Sequence, residues 1–167
     1  ERPLPEAPKN SLAADNKYVY SVSSTDNAAK HGVNIYDRIT LRHERTLSIR
    51  SKIRNSELAV SRKFLVLKHY TTTTIYKVKF VIWTKEDNGR SFSLTMVESF
   101  VRMTPASRFA LIEDDVLLVL RVKDFWTYDL GAYRINGELK RLDAIWRNVV
   151  HNLGNIWIAQ NSIFIAS

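Results

Sequence analysis

The sequence predicts an all-β protein whose antiparallel strands form a sandwich or a barrel. The apolar residues of 76–82 occupy every second position: Tyr76, Val78, Phe80 and Ile82. That spacing is typical of a strand with one buried face. Asp87-Asn88-Gly89 follows it, and an Asn-Gly pair favours a tight hairpin turn before alternation resumes at Phe92. The sequence also contains many short apolar runs and only 5 glycines in 167 residues. Together these features indicate a sandwich or a barrel.

The strand that ends at Trp83 is expected to lie at the centre of the fold. Its second face begins with Lys77 and Lys79 but turns apolar at Val81 and Trp83. Apolar residues on both faces of a strand indicate cover on both sides. We therefore expect a second sheet, or a neighbouring chain, over this end of the strand.

Further strands are expected before and after this hairpin. Leu47 to Arg54 alternates apolar residues with cations, Phe64 to Leu67 is a continuous apolar run with basic flanks, and Arg108 to Ile112 and Val116 to Val122 flank an acidic turn. Residues 1–16 hold three of the four prolines and predict a flexible arm ahead of a single domain, 17–167. No internal repeat is visible in the sequence.

Two segments carry a helical pattern. Thr95 and Glu98 have the spacing of a capping box, and Val97, Phe100 and Val101 stand at helical spacing, which predicts a short helix on a connection. Residues 138–150 fit either a helix or a strand, because apolar and polar residues suit both patterns. That choice stays open.

The positive charge is concentrated in one segment. The chain carries a net charge of +8, and residues 38–69 hold nine Lys and Arg against two acids. A local excess of this kind is typical of a surface that binds a polyanion, although a solvated surface is the alternative. The candidate nucleic-acid-binding residues are the nine cations of this segment: Arg38, Arg42, Arg45, Arg50, Lys52, Arg54, Arg62, Lys63 and Lys68. Arg50, Lys52 and Arg54 are expected to share one face of a single strand.

The sequence gives no sign of enzyme chemistry. It contains no motif of a serine hydrolase, a nucleotide-binding loop or a zinc protease, and the absence of Cys excludes a thiol nucleophile and a disulfide scaffold. The four histidines are interpreted as surface residues: His31, His43, His69 and His151. Glu113, Asp114 and Asp115 are the one candidate metal site, for a structural Ca²⁺, with a solvated turn as the alternative. No cofactor is otherwise expected.

The order of features from Leu47 to Ser167 resembles the coat proteins of small plant viruses. The features are the strand with a basic face, the segment FVIWTKEDNGR, the short helix near Val97, and Arg108-Phe109 opening a strand that meets an acidic kink. The similarity is nearest to satellite viruses of the tobacco necrosis type, and more distant to geminivirus coat and nuclear shuttle proteins. It implies a single eight-stranded antiparallel jelly-roll sandwich that packs into an icosahedral shell. The Arg- and Lys-rich arm of that family is missing from residues 1–16, which hold only Arg2 and Lys9.

The resulting expectation is a non-enzymatic viral coat protein that assembles with itself and packages single-stranded RNA or DNA. It would be found in the virion and in the host cytoplasm or nucleus, with no membrane partner, since no apolar run approaches the roughly 20 residues of a membrane span. Trp83 and Trp126 would serve subunit contacts. The alternatives are a single-strand-binding shuttle or transport protein and a secreted ligand-binding barrel. The barrel leaves the clustered charge unexplained.

Overall fold

The computed structural model describes residues 12–23, 31–50, 53–71, 77–101, 107–122, 127–151, 155–159 and 162–166. The described residues are almost entirely β-strand. The strands are β1 Leu12–Ala14, β2 Tyr18–Ser23, β3 Gly32–Asp37, β4 His43–Ser48, β5 Arg54–Val60, β6 Phe64–Thr71, β7 Lys77–Glu86, β8 Ser91–Val101, β9 Arg108–Ile112, β10 Val116–Val122, β11 Thr127–Asn136, β12 Arg141–His151, β13 Asn155–Ala159 and β14 Ser162–Ala166. A 3₁₀ turn, Asp87–Gly89, joins β7 to β8.

Twelve of these strands form three four-stranded antiparallel sheets, and the last two form a hairpin. The first sheet has the order β1-β2-β3-β4, the second β5-β6-β7-β8 and the third β9-β10-β11-β12. Within each sheet, strands that are consecutive in the chain pair with one another. The C-terminal hairpin consists of β13 and β14. Every sheet is therefore a simple meander.

The all-β antiparallel class is confirmed, but the eight-stranded jelly roll is wrong. A jelly roll needs strands that leave one sheet and return to another. Here consecutive strands of a sheet pair with each other, and at Asp87–Gly89 three residues in a row adopt positive φ angles of 49, 55 and 83°. Such a turn brings its two flanking strands directly together, so Glu86 pairs with Ser91. Local pairing of this kind accounts for the meanders.

The second sheet lies between the first and the third. One core joins it to the first sheet and includes Tyr20 and Ile35 from that sheet and Leu65, Leu67, Val81 and Trp83 from the second. A separate core joins it to the third sheet and includes Val66, Phe80 and Ile82 against Phe109, Leu117 and Val119. The predicted cover on both sides of the strand through Trp83 is confirmed. Trp83 is buried, so its expected exposure for subunit contacts is wrong; Trp126 lies outside the described residues.

The predicted helix near Val97 is wrong, because residues 91–101 form β8. β8 pairs with β7 over nearly its whole length, and Val97 lies opposite Val81. Thr95, the expected cap residue, has a different role: its Oγ1 and Thr84 Oγ1 on β7 form a hydrogen bond between the strands. The open choice at 138–150 is settled in favour of a strand, since residues 141–151 form β12.

A structural repeat is present that the sequence did not reveal. Three turns that join the first and second strands of consecutive sheets contact one another along one rim. Lys85 Nζ donates to Asp15 Oδ2 at 2.5 Å and to the Ser61 carbonyl at 2.9 Å. Ser61 Oγ donates to the Asp114 carbonyl at 2.8 Å. β1 and Asp15 belong to this repeat. The flexible arm expected over residues 1–16 is therefore wrong for residues 12–16. Residues 1–11 lie outside the described residues.

The first strands of consecutive sheets also lie side by side. β1 contacts β5, β5 contacts β9, and β9 contacts β13. The C-terminal hairpin therefore continues the series, with β13 in the position that β1, β5 and β9 hold in the three sheets before it.

Candidate nucleic-acid interface

The outer edge of the first sheet carries four exposed arginines, which we call the basic edge: Arg38, Arg42, Arg45 and Arg50. Arg38 and Arg42 belong to the turn between β3 and β4, and Arg50 follows β4. Within residues 38–50 the only acidic residue is Glu44. The segment 38–50 thus has a clear excess of positive charge.

Asp37 holds the turn that presents Arg38 and Arg42. Its Oδ1 accepts hydrogen bonds from the backbone N–H groups of Ile39 at 3.0 Å and Thr40 at 2.7 Å. Leu41 adopts a positive φ of 54° and donates its N–H to the Asp37 carbonyl. The Thr40 hydrogen bonds lower the pKa of Asp37, so its carboxylate stays charged and keeps accepting them.

Arg45 is held by an aromatic ring rather than by an acid. It lies on β4, and its guanidinium is 6.0 Å from the centre of the Phe92 ring on β8, at the outer rim between the first two sheets. Tyr36 and His43 form an edge-to-face pair at 5.4 Å on the same two strands, β3 and β4. The first sheet therefore carries both exposed cations and aromatic rings on β3, on β4 and on the turn between them.

The basic edge differs from the other arginines in its lack of acidic partners. Among the residues that the structure describes, the arginines in ion pairs are Arg62 with Asp114, Arg108 with Glu57, Arg121 and Arg147 with Asp129, and Arg141 with Asp143. No ion pair of the described residues includes a member of the basic edge. The Arg38 guanidinium donates to a backbone carbonyl, that of Asp15, at 2.9 Å.

The other predicted cations are not part of this surface. Arg62 is bound to Asp114 at 2.6 Å, and Lys63 lies in the turn between β5 and β6. Lys52 and the side chain of Arg54 lie outside the described residues. The single strand expected across 47–54 is wrong, because β4 ends at Ser48 and β5 begins at Arg54.

Lys68 is buried, which contradicts its predicted role at the surface. Its side chain is 0% exposed, and its Nζ lies 3.0 Å from Glu57 Oε2 and donates to the Ser107 carbonyl at 2.7 Å. Glu57 Oε1 also accepts a hydrogen bond from Arg108 at 3.0 Å, so this carboxylate joins β5 to β6 and to β9. Burial lowers the pKa of Lys68, and the charge of Glu57 opposes that shift. Lys68 therefore ties the second sheet to the third.

Two of the four histidines are also buried, so their interpretation as surface residues is wrong. His31 is 4% exposed and His69 is 0% exposed, whereas His43 is exposed. The side chain of His151 lies outside the described residues. Burial lowers the pKa of His69, the hydrogen bond to the Tyr70 carbonyl opposes the shift, and Lys79 adds to it. His69 faces the first sheet because its neighbours on β6 alternate, and Lys68 faces the third.

The predicted metal site receives no support. Glu113, Asp114 and Asp115 form the turn between β9 and β10, where Glu113 has a positive φ of 54°. Asp114 binds Arg62, and the Asp115 carbonyl accepts the N–H of Ile135. Within the described part of the chain, no three His, Asp or Glu side chains lie close enough together to hold a metal ion.

A concave region lies between the second and third sheets. It is a cleft of about 580 Å³ beside Thr84, Ser93 and Asn136. Its charged residues are balanced in sign, with Lys63, Arg134 and Lys140 against Glu86, Asp115 and Glu138. Balanced charge does not select an anionic or a cationic ligand, so the basic edge is the better candidate site.

Comparison with models of known protein families gives no match, and no curated protein matches the sequence at a significant level. In the described part of the chain no helix has the length and apolar character needed to cross a membrane.

Replacing Glu57 by Gln is expected to lower the free energy of unfolding by about 3 kcal/mol, because it leaves the buried Lys68 ammonium without its carboxylate partner. The check is urea denaturation of both proteins. Adding Lys68→Met to Glu57→Gln should recover much of that loss. Asp114→Asn, which breaks the exposed pair with Arg62, is the control and should have little effect. An equal loss in both single variants would contradict a buried ion pair.

The second prediction concerns pH. Because the pKa of His69 is lowered in the folded state, the unfolded chain binds a proton below its ordinary pKa of about 6.5 that the folded chain does not bind. The free energy of unfolding should therefore fall as the pH is lowered from about 7 towards about 5. His69→Leu should reduce that difference, while His43→Leu, at an exposed position, should leave it unchanged. Urea denaturation at both pH values is the test, and an undiminished difference in His69→Leu would refute it.

Proposed function

We propose that this protein is a non-enzymatic binding scaffold whose basic edge binds single-stranded nucleic acid. The observation that carries the proposal is the set of four exposed arginines, Arg38, Arg42, Arg45 and Arg50, without acidic partners among the described residues. A cation that is already paired with a carboxylate gains little further stabilisation from a phosphate. A guanidinium group without an acidic partner forms a stabilising ion pair with a phosphate, and the nucleic acid then releases condensed counterions.

The aromatic pair beside the basic edge supports a single strand as the ligand. Proteins that bind single strands combine a positive surface for the phosphates with aromatic rings on which bases stack. Tyr36 is half-buried, and its ring meets that of His43 edge to face, 5.4 Å between centres. These rings belong to the same two strands and connecting turn as Arg38, Arg42 and Arg45, and Arg50 follows the second of these strands.

The scaffold part of the proposal rests on the repeated sheets. Consecutive four-stranded meanders that stack face to face, with their first strands side by side, are the arrangement of blades in a β-propeller. Folds of this kind commonly place their binding residues on the turns and the strand edges at the rim. Two observations support this interpretation: the hydrophobic cores between neighbouring sheets, and the hydrogen bonds by which Lys85 and Ser61 connect the turns at the rim.

The coat-protein function stays a prediction from the sequence. It depended on a jelly roll that would pack side by side in a shell, and the meander topology removes that basis. None of the contacts within the described residues favours a shell over an isolated binding module.

The proposal predicts a specific change in salt dependence. Replacing Arg38, Arg42, Arg45 and Arg50 together by Ser should weaken binding to every single-stranded sequence alike, because phosphate contacts carry no base information. The slope of log K against log salt should flatten by about two to three units, at roughly 0.7 for each lost contact. Fluorescence anisotropy with labelled oligodeoxythymidylate and oligouridylate over a range of salt concentrations measures this slope.

The matched control removes the same charge from other surfaces: Lys63, Arg90, Lys140 and Arg141 replaced by Ser, all at exposed positions. This variant should keep the wild-type slope to within about one unit, because net charge alone acts weakly at a distance in salt. Equal slopes in the two variants would show that binding does not depend on the basic edge. Absence of any binding by the wild-type chain at low salt would refute the proposed function.

A further inference from the structure

The hydrophobic core between the second and third sheets gives way to polar residues near the rim. Ile82 on β7 belongs to this core, and Thr84 and Glu86, at the next alternate positions of the same strand, line the cleft beside it. Ile135, near the end of β11, also belongs to the core, and Gly137 two residues later lines the cleft. The cleft therefore has an apolar floor and polar walls.

The corresponding space between the first and second sheets is filled by the side chain of Lys85. This side chain extends from β7 toward the first sheet and is only 7% exposed. Its Nζ donates to Asp15 Oδ2 at 2.5 Å and to the Ser61 carbonyl at 2.9 Å, and it lies 6.0 Å from the centre of the Tyr20 ring. An ion pair beside an aromatic ring thus closes this interface at the rim.

Ile135 holds in the third sheet the position that Lys85 holds in the second. The backbone N–H of Lys85 donates to the Lys63 carbonyl at 2.7 Å, and that of Ile135 donates to the Asp115 carbonyl at 2.8 Å. Each carbonyl belongs to the turn between the first and second strands of its sheet, and both side chains face the preceding sheet. Isoleucine is shorter than lysine and has no charge. The space that Lys85 fills in one interface is therefore open in the next, as a cleft of about 580 Å³.

The charged residues around this cleft are not paired with one another. They are three cations and three acids: Lys63, Arg134 and Lys140, and Glu86, Asp115 and Glu138. In the part of the chain that the structure describes, none of these six residues forms an ion pair, in contrast to Lys85 with Asp15. Glu86 accepts a hydrogen bond from Ser93 Oγ at 2.7 Å, so a hydroxyl group already binds to one of the carboxylates. The cleft offers strong donors and strong acceptors side by side.

This set of groups suits a ligand that is neutral and rich in hydroxyl groups. A ligand with a net charge would be repelled by half of the charged groups of the cleft. A hydroxyl group can donate to a carboxylate and can also accept from an ammonium or guanidinium group, and hydrogen bonds with charged partners are the stronger ones. Leu94, which also lines the cleft and is 57% exposed, offers an apolar contact to the C–H groups of a sugar ring. The volume lies within the range of about 300 to 1,000 Å³ that is usual for small-molecule sites.

We propose that the cleft between the second and third sheets binds a short neutral carbohydrate. The three carboxylates accept hydrogen bonds from its hydroxyl groups, and the three cations donate to its oxygen atoms. The basic edge belongs to the first sheet and shares no residue with this cleft. The inference is therefore independent of the proposed binding of nucleic acid, and either can fail without the other.

Titration with neutral disaccharides tests the class of ligand. The probes are maltose, cellobiose, lactose and N,N′-diacetylchitobiose, and binding is measured by NMR of the ¹⁵N-labelled protein. At least one probe should bind with a dissociation constant of about 1 mM or below. That constant should change less than about twofold between low and high salt, because the ligand carries no charge for salt to screen. Absence of binding by all four probes at about 10 mM overturns the proposal.

Gly137→Leu tests whether the sugar occupies this cleft. The φ angle of Gly137 is not in the left-handed region, and an added Cβ would lie 3.8 Å from the Phe64 ring and from Thr84 Oγ1, at ordinary contact distances. A leucine is therefore compatible with the fold, and its side chain takes up space between residues that line the cleft. The variant should lose binding of the disaccharide while its urea denaturation stays cooperative. Binding as tight as that of the wild type would place the sugar elsewhere and overturn the proposal.

Glu86→Gln keeps the test decisive should Gly137→Leu destabilise the protein. Glu86 is exposed, so the change leaves the core intact and removes one charged acceptor; the dissociation constant should rise about tenfold. Glu44→Gln, at an exposed position on β4, is the matched control and should bind like the wild type. The variant with all four arginines of the basic edge replaced by Ser should also bind the sugar normally. Equal affinity in Glu86→Gln and Glu44→Gln would contradict the proposed site.

Discussion

The structure depends on the burial of the second sheet on both of its faces. Side chains alternate along β6 and β7, so Leu65, Leu67 and Val81 face the first sheet while Val66, Phe80 and Ile82 face the third. All six are between 0 and 4% exposed. Without the second sheet, the apolar inner faces of the first and third sheets would be exposed to water, because both cores are completed by residues of the second sheet. The apolar character of both faces of β7 is therefore what makes a stack of sheets possible.

The charged groups between the sheets fix how the stack is assembled. Glu57 binds Lys68 within the second sheet and Arg108 of the third, and Asp129 is held by Arg121 and Arg147. The Arg147 hydrogen bonds lower the pKa of Asp129, so this buried carboxylate stays charged. An unpaired buried charge is costly, so a wrong order or register of sheets would be penalised strongly. The basic edge, by contrast, takes part in none of the ion pairs among the described residues.

Alternation and turn chemistry in the sequence were sufficient to predict the fold class, the hairpin at Asp87–Gly89, the strands β9 and β10 and the central place of β7. They were not sufficient to predict the topology, because an alternating strand has the same pattern in a meander as in a jelly roll. The sequence did not reveal the repeat because a four-stranded meander requires only alternating strands and turn-forming residues, which many different sequences supply. The turns between the first and second strands show this, since Asp15, Ser61 and Asp114 occupy related positions but are not identical.

The candidate site was predicted in part. Arg38, Arg42, Arg45 and Arg50 are exposed, but Lys68, which follows the apolar run 64–67, is buried. What separates them is the tertiary pairing with Glu57, eleven residues away in the chain and directly opposite on β5. A signal was available: Glu57 is one of only two acids in the basic segment, and it lies in an apolar neighbourhood where a carboxylate needs a partner.

The most direct test of the stacked arrangement is amide hydrogen exchange resolved by strand. If the second sheet is the shared wall of two cores, the amides of β6 and β7 should be the slowest to exchange, with protection close to that of global unfolding. The amides of the outer strands β4 and β12 should exchange much faster, because β4 and β12 are sheet edges among the described residues. Exchange of β7 as fast as that of β4 would contradict the central position of the second sheet.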